Sequence, residues 1–253
     1  MLMRRWLEFV SELALEEPYI KAGSQAIYCD QTWTVDANQF LDDVSMQLSN
    51  IGFTKSKITQ LTRHYQNPES IKRAAQDLDD RLQGKKYGSG VWDFRGHPKK
   101  NTKQDYCITA GVVAYYPPHR HTRLTVYYRT VELIFRYRAD IIFLRDVIFP
   151  QFDLDTVPPD TLTFRFTNCT IHPMFGVFLL MEHDTPEEFL YQMCESNTDM
   201  AKQWLRWTDI HLSGGYKSYM TAARVQKHVE AIYPDKLKSL KKIVTAVQKQ
   251  TGL

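Results

Sequence analysis

What this chain has little of narrows its reading first. Its 253 residues hold four cysteines, Cys29, Cys107, Cys169 and Cys194, with no CxxC pair and no zinc-ligand spacing. So sparse a set argues against a disulfide scaffold and for reduced thiols in a cytoplasmic setting. No apolar run approaches the roughly 18 residues that a membrane span takes. The opening MLMRRWLEFVSELALEE is too polar and too interrupted for a secretory leader. Charge of one sign is nearly missing as well. A net charge of +3 is too close to balance to argue for nucleic acid by itself. The chain shows no internal repeat and no low-complexity segment.

What remains is 43% hydrophobic and 13% aromatic, enough for one large domain. Residues 3–15 carry Trp6, Leu7, Val10, Leu13 and Ala14 at helical spacing, and Pro18 follows. Residues 26–35 alternate like a strand, and 40–51 return to helical period. Residues 55–82 read as one helix, or as two broken near Asn67-Pro68, where NPES supplies a cap and a first-turn proline. Residues 107–116 and 124–130 read as paired strands around a Pro-Pro turn. An apolar segment at 140–149 reads as a buried helix, and 153–160 as a linker. Residues 162–171 read as a strand continued by 175–181, and everything from Thr185 onward reads as helix. The fold class is therefore α+β, with residues 1–182 as the core and 183–253 as a helical extension packed on it.

Several side chains are candidates for chemistry. Cys107 opens one strand of the hairpin and Arg129 lies on the other. A cysteine on a strand is commonly a small buried hydrophobe. As a nucleophile it must be thiolate, which a neighbouring cation favours, and Arg129 can supply that cation and hold an anion. Asp140 stands at the head of an apolar run, where it either caps a helix or presents a buried carboxylate to a ligand. Lys21 beside Gly23, and Lys85-Lys86 between glycines, have the composition of phosphate loops but also of solvated turns. His119 and His121 sit at a turn tip with no third ligand near them in sequence, so no metal site is read there.

In order and spacing these pieces resemble the thymidylate synthase and pyrimidine hydroxymethylase superfamily, closest to deoxycytidylate hydroxymethylase, over residues 1–175. Lys21-Ala22-Gly23 resembles the family's N-terminal phosphate loop, and Asp43 stands at the place of its catalytic glutamate. Lys85-Lys86 stands where the family has an arginine pair, and Cys107 at the active-site cysteine. Tyr128-Arg129-Thr130 resembles Gln-Arg-Ser, with Glu132 two residues on. The run from Phe135 through Arg136 to Asp140 is similar to the hydroxymethylase form of the next motif, although Arg136 occupies a position where the family carries glycine. Asn168 through His172 resembles the strand that binds the sugar hydroxyl.

The resemblance implies a central mixed sheet at a homodimer interface, with helices covering its other face. It implies a folate-dependent C5 hydroxymethylation or methylation of a pyrimidine deoxynucleotide, dCMP above all, with 5,10-methylenetetrahydrofolate as cofactor. Cys107 would add to carbon 6, and Asp43 would relay protons through water. Lys21, Arg129 and Thr130 would hold the phosphate, joined by Lys85 and Lys86 of the other subunit, while Asn168 and His172 would meet the nucleoside. Asp140 would read cytosine, because a protonated aspartate, or an aspartate with protonated cytosine, matches a ring nitrogen 3 that accepts and an amino group that donates. It further implies a place in a bacteriophage DNA-modification pathway, in the host cytoplasm. The alternative is a relative that binds nucleotide or nucleic acid without folate chemistry. The basic residues at 95–103 and 236–249, and the absence of a tail resembling the family's folate-closing segment, support it.

Overall fold

The computed structural model describes residues 2–22, 25–42, 55–65, 67–85, 89–94, 107–117, 121–156 and 158–253. Helix α1 (Leu2–Leu15) leads through β1 (Ile20–Ala22) into β2 (Gln25–Asp36) and α2 (Ala37–Asp42). Two helices, α3 (Lys55–His64) and α4 (Pro68–Leu82), precede β3 (Gly90–Asp93), β4 (Ile108–Tyr116) and β5 (His121–Glu132). The chain then forms α5 (Arg136–Phe143), a π-helical turn (Leu144–Ile148) and β6 (Pro159–Ile171). It finishes in α6 (Gly176–Glu182), α7 (Pro186–Ser196), α8 (Thr198–Ser213), α9 (Met220–Ile232) and α10 (Lys236–Thr251).

The strands make one mixed sheet in the order β1-β2-β6-β5-β4-β3. Among the described strands only the β5–β6 pair is parallel, and its crossover runs through α5. Register shows how the two faces differ. One row across the sheet is Trp33, Phe164, Val126, Gly111 and Trp92, all buried. Gly111 is required there, because a Cβ at that position would lie 1.9 Å from the Trp92 indole. Phe9 of α1 and Tyr137 of α5 pack on this face, at 6.0 and 6.3 Å from the Trp33 ring. The neighbouring row is Thr34, Thr163, Thr125, Val112 and Val91, and the next is Thr32, Arg165, Tyr127, Ala110 and Asp93. These side chains point to the opposite face and are exposed or half-buried, Val91 at 53%.

The break at Asn67-Pro68 separates α3 from α4. The Asn67 side chain accepts from the Ser70 N–H at 3.3 Å and donates to the Asp93 carbonyl at 2.9 Å, tying the helix start to β3. The expected helix at 40–51 is represented by α2, and its remaining residues lie outside those described. The strand expected at 175–181 is instead α6. Pro173 ends the pairing of β6, and a short apolar run cannot be told from a buried helix by periodicity alone. Gly176 lets α6 approach Trp204 of α8, whose ring would stand 2.7 Å from a Cβ. The C-terminal helices share one hydrophobic core with the sheet. Buried Arg138 of α5 pairs with Glu182 of α6, and the Tyr233 hydroxyl donates to the same carboxylate at 2.8 Å. All four cysteines are free. Among the described residues no helix is long and apolar enough to cross a membrane.

Candidate active site

Three elements bring a thiol, a phenol and a carboxylate together at the start of β4. Cys107 is the residue before that strand, and its carbonyl accepts from the Arg129 N–H at 2.8 Å. The β4–β5 register shifts between Ile108 and Ala110, immediately after the cysteine. Such bulges bend a strand and re-aim its side chains. Here the extra residue, Thr109, donates its hydroxyl to the Tyr127 carbonyl at 3.2 Å. Tyr65 follows α3 by one residue, with its N–H still bonded to the Leu61 carbonyl at 2.7 Å. Its hydroxyl accepts from the Ile108 N–H at 3.4 Å, next to Cys107, and favours the thiolate.

Asp140 lies inside α5, so it does not cap that helix, the first of the two roles its sequence position allowed. The N-cap is Phe135, and the carboxylate of Glu132, three residues earlier, accepts from the N–H groups of Ile134, Phe135 and Arg136 at 2.9, 2.8 and 3.0 Å. A carboxylate at a helix N-terminus meets both unsatisfied donors and the positive end of the helix dipole. Starting α5 there puts Arg136 and Asp140 one turn apart on the same helix face, Arg136 exposed at its start and Asp140 buried beyond it. Asp140 is 6% exposed. Burial pushes its carboxyl up to about 7, against the opposing pull of Lys57 and then Arg136. The Cys107 thiol is also pushed up, first by burial and then by Asp140, with Arg129, Arg136 and the Tyr65 hydroxyl working the other way. Burial likewise raises Tyr65, with Asp140 and Cys107 adding to the effect.

The structure therefore joins Cys107, Asp140 and Arg129, and adds Tyr65, Lys57 and Arg136. Sequence reasoning passed over Tyr65 and Lys57. The signal it could have used is their common helix face with Leu61, at positions 57, 61 and 65. Arg136 stood out in the sequence only as a departure from the family pattern.

The other candidates are placed differently. Thr130 and Asn168 are register partners across β5 and β6, and the Asn168 oxygen accepts from the Cys29 thiol at 3.3 Å. His172 follows β6 and caps the next turn, with Nδ1 accepting from the Met174 N–H at 3.1 Å. Burial, then Arg136, holds its imidazole below the usual range. Lys21 is exposed and pairs with Asp199 in the first turn of α8 at 3.0 Å. Lys85 is exposed just beyond α4. Asp43, Lys86, Gly23, His119 and residues 95–103 lie outside the described residues. Among the described residues no group of three or more His, Cys, Asp or Glu side chains could hold a metal.

No protein-family model matches the chain. No curated protein matches it in sequence. Among solved structures it is similar to thymidylate synthase from T4 phage, with 12% identity and a TM-score of 0.46, over 79% of this chain and 91% of that one.

Proposed function

We propose that the chain is a pyrimidine deoxynucleotide C5 transferase, acting on dCMP through a covalent adduct at Cys107. The observation that carries this reading is the convergence of Cys107, Tyr65 and Asp140 beside two arginines. Carbon 5 of a pyrimidine is a poor nucleophile. Addition of the Cys107 sulfur to carbon 6 moves an electron pair to carbon 5, which can then attack a one-carbon electrophile. The Tyr65 hydroxyl, which accepts from the Ile108 N–H beside Cys107, would pass a proton at this step. Arg129 and Arg136 supply charge for a phosphate, with Lys21, Lys85, Lys86 and Thr130 as further candidates. Asn168 and His172 would face the nucleoside. Asp140 would meet the ring edge and Asp43 the water.

The residues around Cys107 fit a nucleotide better than a folate. Tyr65 stacks on Phe143 with centroids 5.2 Å apart, and Tyr128 sits edge-on to Tyr137 at 5.6 Å. These four rings are buried and packed on one another, so neither pair is a platform for a pterin. Methylenetetrahydrofolate is the one-carbon donor that the family resemblance implies.

The open face of the sheet is the surface on which a second copy would dock, giving a homodimer with shared sites. Production of a hydroxymethylated or methylated nucleotide for a phage-type DNA-modification pathway, in the host cytoplasm, completes the reading. A second reading has its own support in the raised Cys107 thiol: a relative that binds nucleotide or nucleic acid without turnover. Tritium release from carbon 5 of labelled dCMP and dUMP separates them. Release from dCMP that needs methylenetetrahydrofolate supports the transferase. No release, with thermal stabilisation by dCMP, supports the binding protein.

A further inference from the structure

Lys57 belongs to no motif of the family resemblance, yet it is the first of the two cations acting on Asp140. Helix α3 packs along α5, and residues 57, 61 and 65 share one face of it. Leu61 is buried in the middle of that face, and Tyr65 is stacked on Phe143, three residues past Asp140 on α5. The same face therefore delivers a phenol to the thiol and an ammonium to the carboxylate. Lys57 is half-buried, and its Nζ donates to Gln60 at 3.4 Å, one turn along the same helix. The other groups facing Asp140 are Arg136 and Tyr137 of its own helix, Tyr65 after α3, Cys107 before β4 and Tyr128 of β5. Of these only Arg136 is a second cation, and it is exposed.

We propose that Lys57 is a positioning and specificity-determining residue: its ammonium holds Asp140 closer to the carboxylate form than burial alone would, so that above neutral pH a cytosine edge enters with a proton. A carboxylate can accept the exocyclic amino group of cytosine, but its second oxygen meets the lone pair of ring nitrogen 3. One proton between them turns that repulsion into a hydrogen bond. Lys57 sets the pH at which this proton must be taken up. The inference rests on the nucleotide reading for its consequence, while its electrostatic core can be measured without any ligand.

The experiment follows the Asp140 carboxyl carbon by NMR across pH 5–9 in the free protein, with Asp140→Asn assigning the resonance. Lys57→Met should raise the titration midpoint by about one pH unit, the change expected on removing an opposite charge close by. Lys57→Gln should do the same, and Lys57→Arg should restore the original midpoint. Calorimetry at pH 8 should then find that Lys57→Met binds dCMP up to about tenfold tighter, with less proton uptake. A structural role alone would weaken binding. A midpoint that stays put or falls overturns the inference and leaves nucleotide binding intact. A midpoint that rises while neither protein binds dCMP upholds the Lys57–Asp140 device and removes the nucleotide reading.

Discussion

The Asp140 carboxylate acts on the Cys107 thiol and disfavours its ionisation. Asp140 is the first charge, after burial, that lifts the thiol, and it opposes Arg129 and Arg136 in doing so. Neutralising Asp140 therefore favours the thiolate. A cytosine that brings a proton to Asp140 would activate the cysteine by the same act that identifies the base.

That coupling predicts a gain from a loss. Asp140→Asn removes the like charge, so the pH midpoint for alkylation of Cys107 by iodoacetamide should fall by about one unit. Peptide mapping confines the measurement to Cys107. An unchanged midpoint would mean that the two groups are not in electrostatic contact.

Stability should carry the mark of Asp140. Burial lifts its carboxyl to about 7 in the folded chain, above the ordinary aspartate value of 3.8. Between these limits the folded chain holds a proton that the unfolded chain has released. That contribution is fully present below the unfolded value and is lost as pH rises toward 7. A difference of this size corresponds to about 4 kcal/mol as an upper bound. Urea unfolding should show wild type losing stability from pH 4 to 7 more steeply than Asp140→Asn. Parallel pH profiles would contradict the raised value.

Glu132 is predicted to matter for the aim of Asp140 as well as for stability. Glu132→Gln keeps the shape but leaves part of a three-donor nest unanswered, at a cost of about 1–3 kcal/mol. It should also weaken discrimination between dCMP and dUMP, because α5 starts from that nest. Normal selectivity with reduced stability would confine Glu132 to the fold.

Association can be tested at the open face. Tyr127, 37% exposed, stands in its middle beside Arg165 and Ala110. Tyr127→Asp should convert a sedimenting dimer to monomer and abolish turnover if sites are shared. A wild-type monomer with full activity would sink the shared-site reading.

Much of the sheet was legible, because β4 and β5 carry β-branched and aromatic residues on either side of a Pro-Pro turn. Once that hairpin is granted, Arg129 must lie beside Cys107. The position of Asp140 was legible but its role in the helix was not, since Glu132 starts α5 four residues earlier than the apolar run suggested. Tyr65 and Lys57 were hidden for another reason. A Lys-Leu-Tyr stripe at helical spacing looks like any half-buried helix face, and only the packing of α3 on α5 gives it a purpose. Residues 175–181 misled because an unbroken apolar run lacks the alternation that separates strand from buried helix.

The most direct measurement is the intact mass of the protein after incubation with 5-fluoro-dCMP and methylenetetrahydrofolate. Fluorine cannot leave carbon 5 as a cation, so an adduct through carbon 6 should stall on the enzyme. The account predicts a covalent nucleotide mapped to Cys107, formed from the cytosine analogue in preference to 5-fluoro-dUMP and lost in Cys107→Ser. An unmodified mass, or modification of another cysteine, would contradict it.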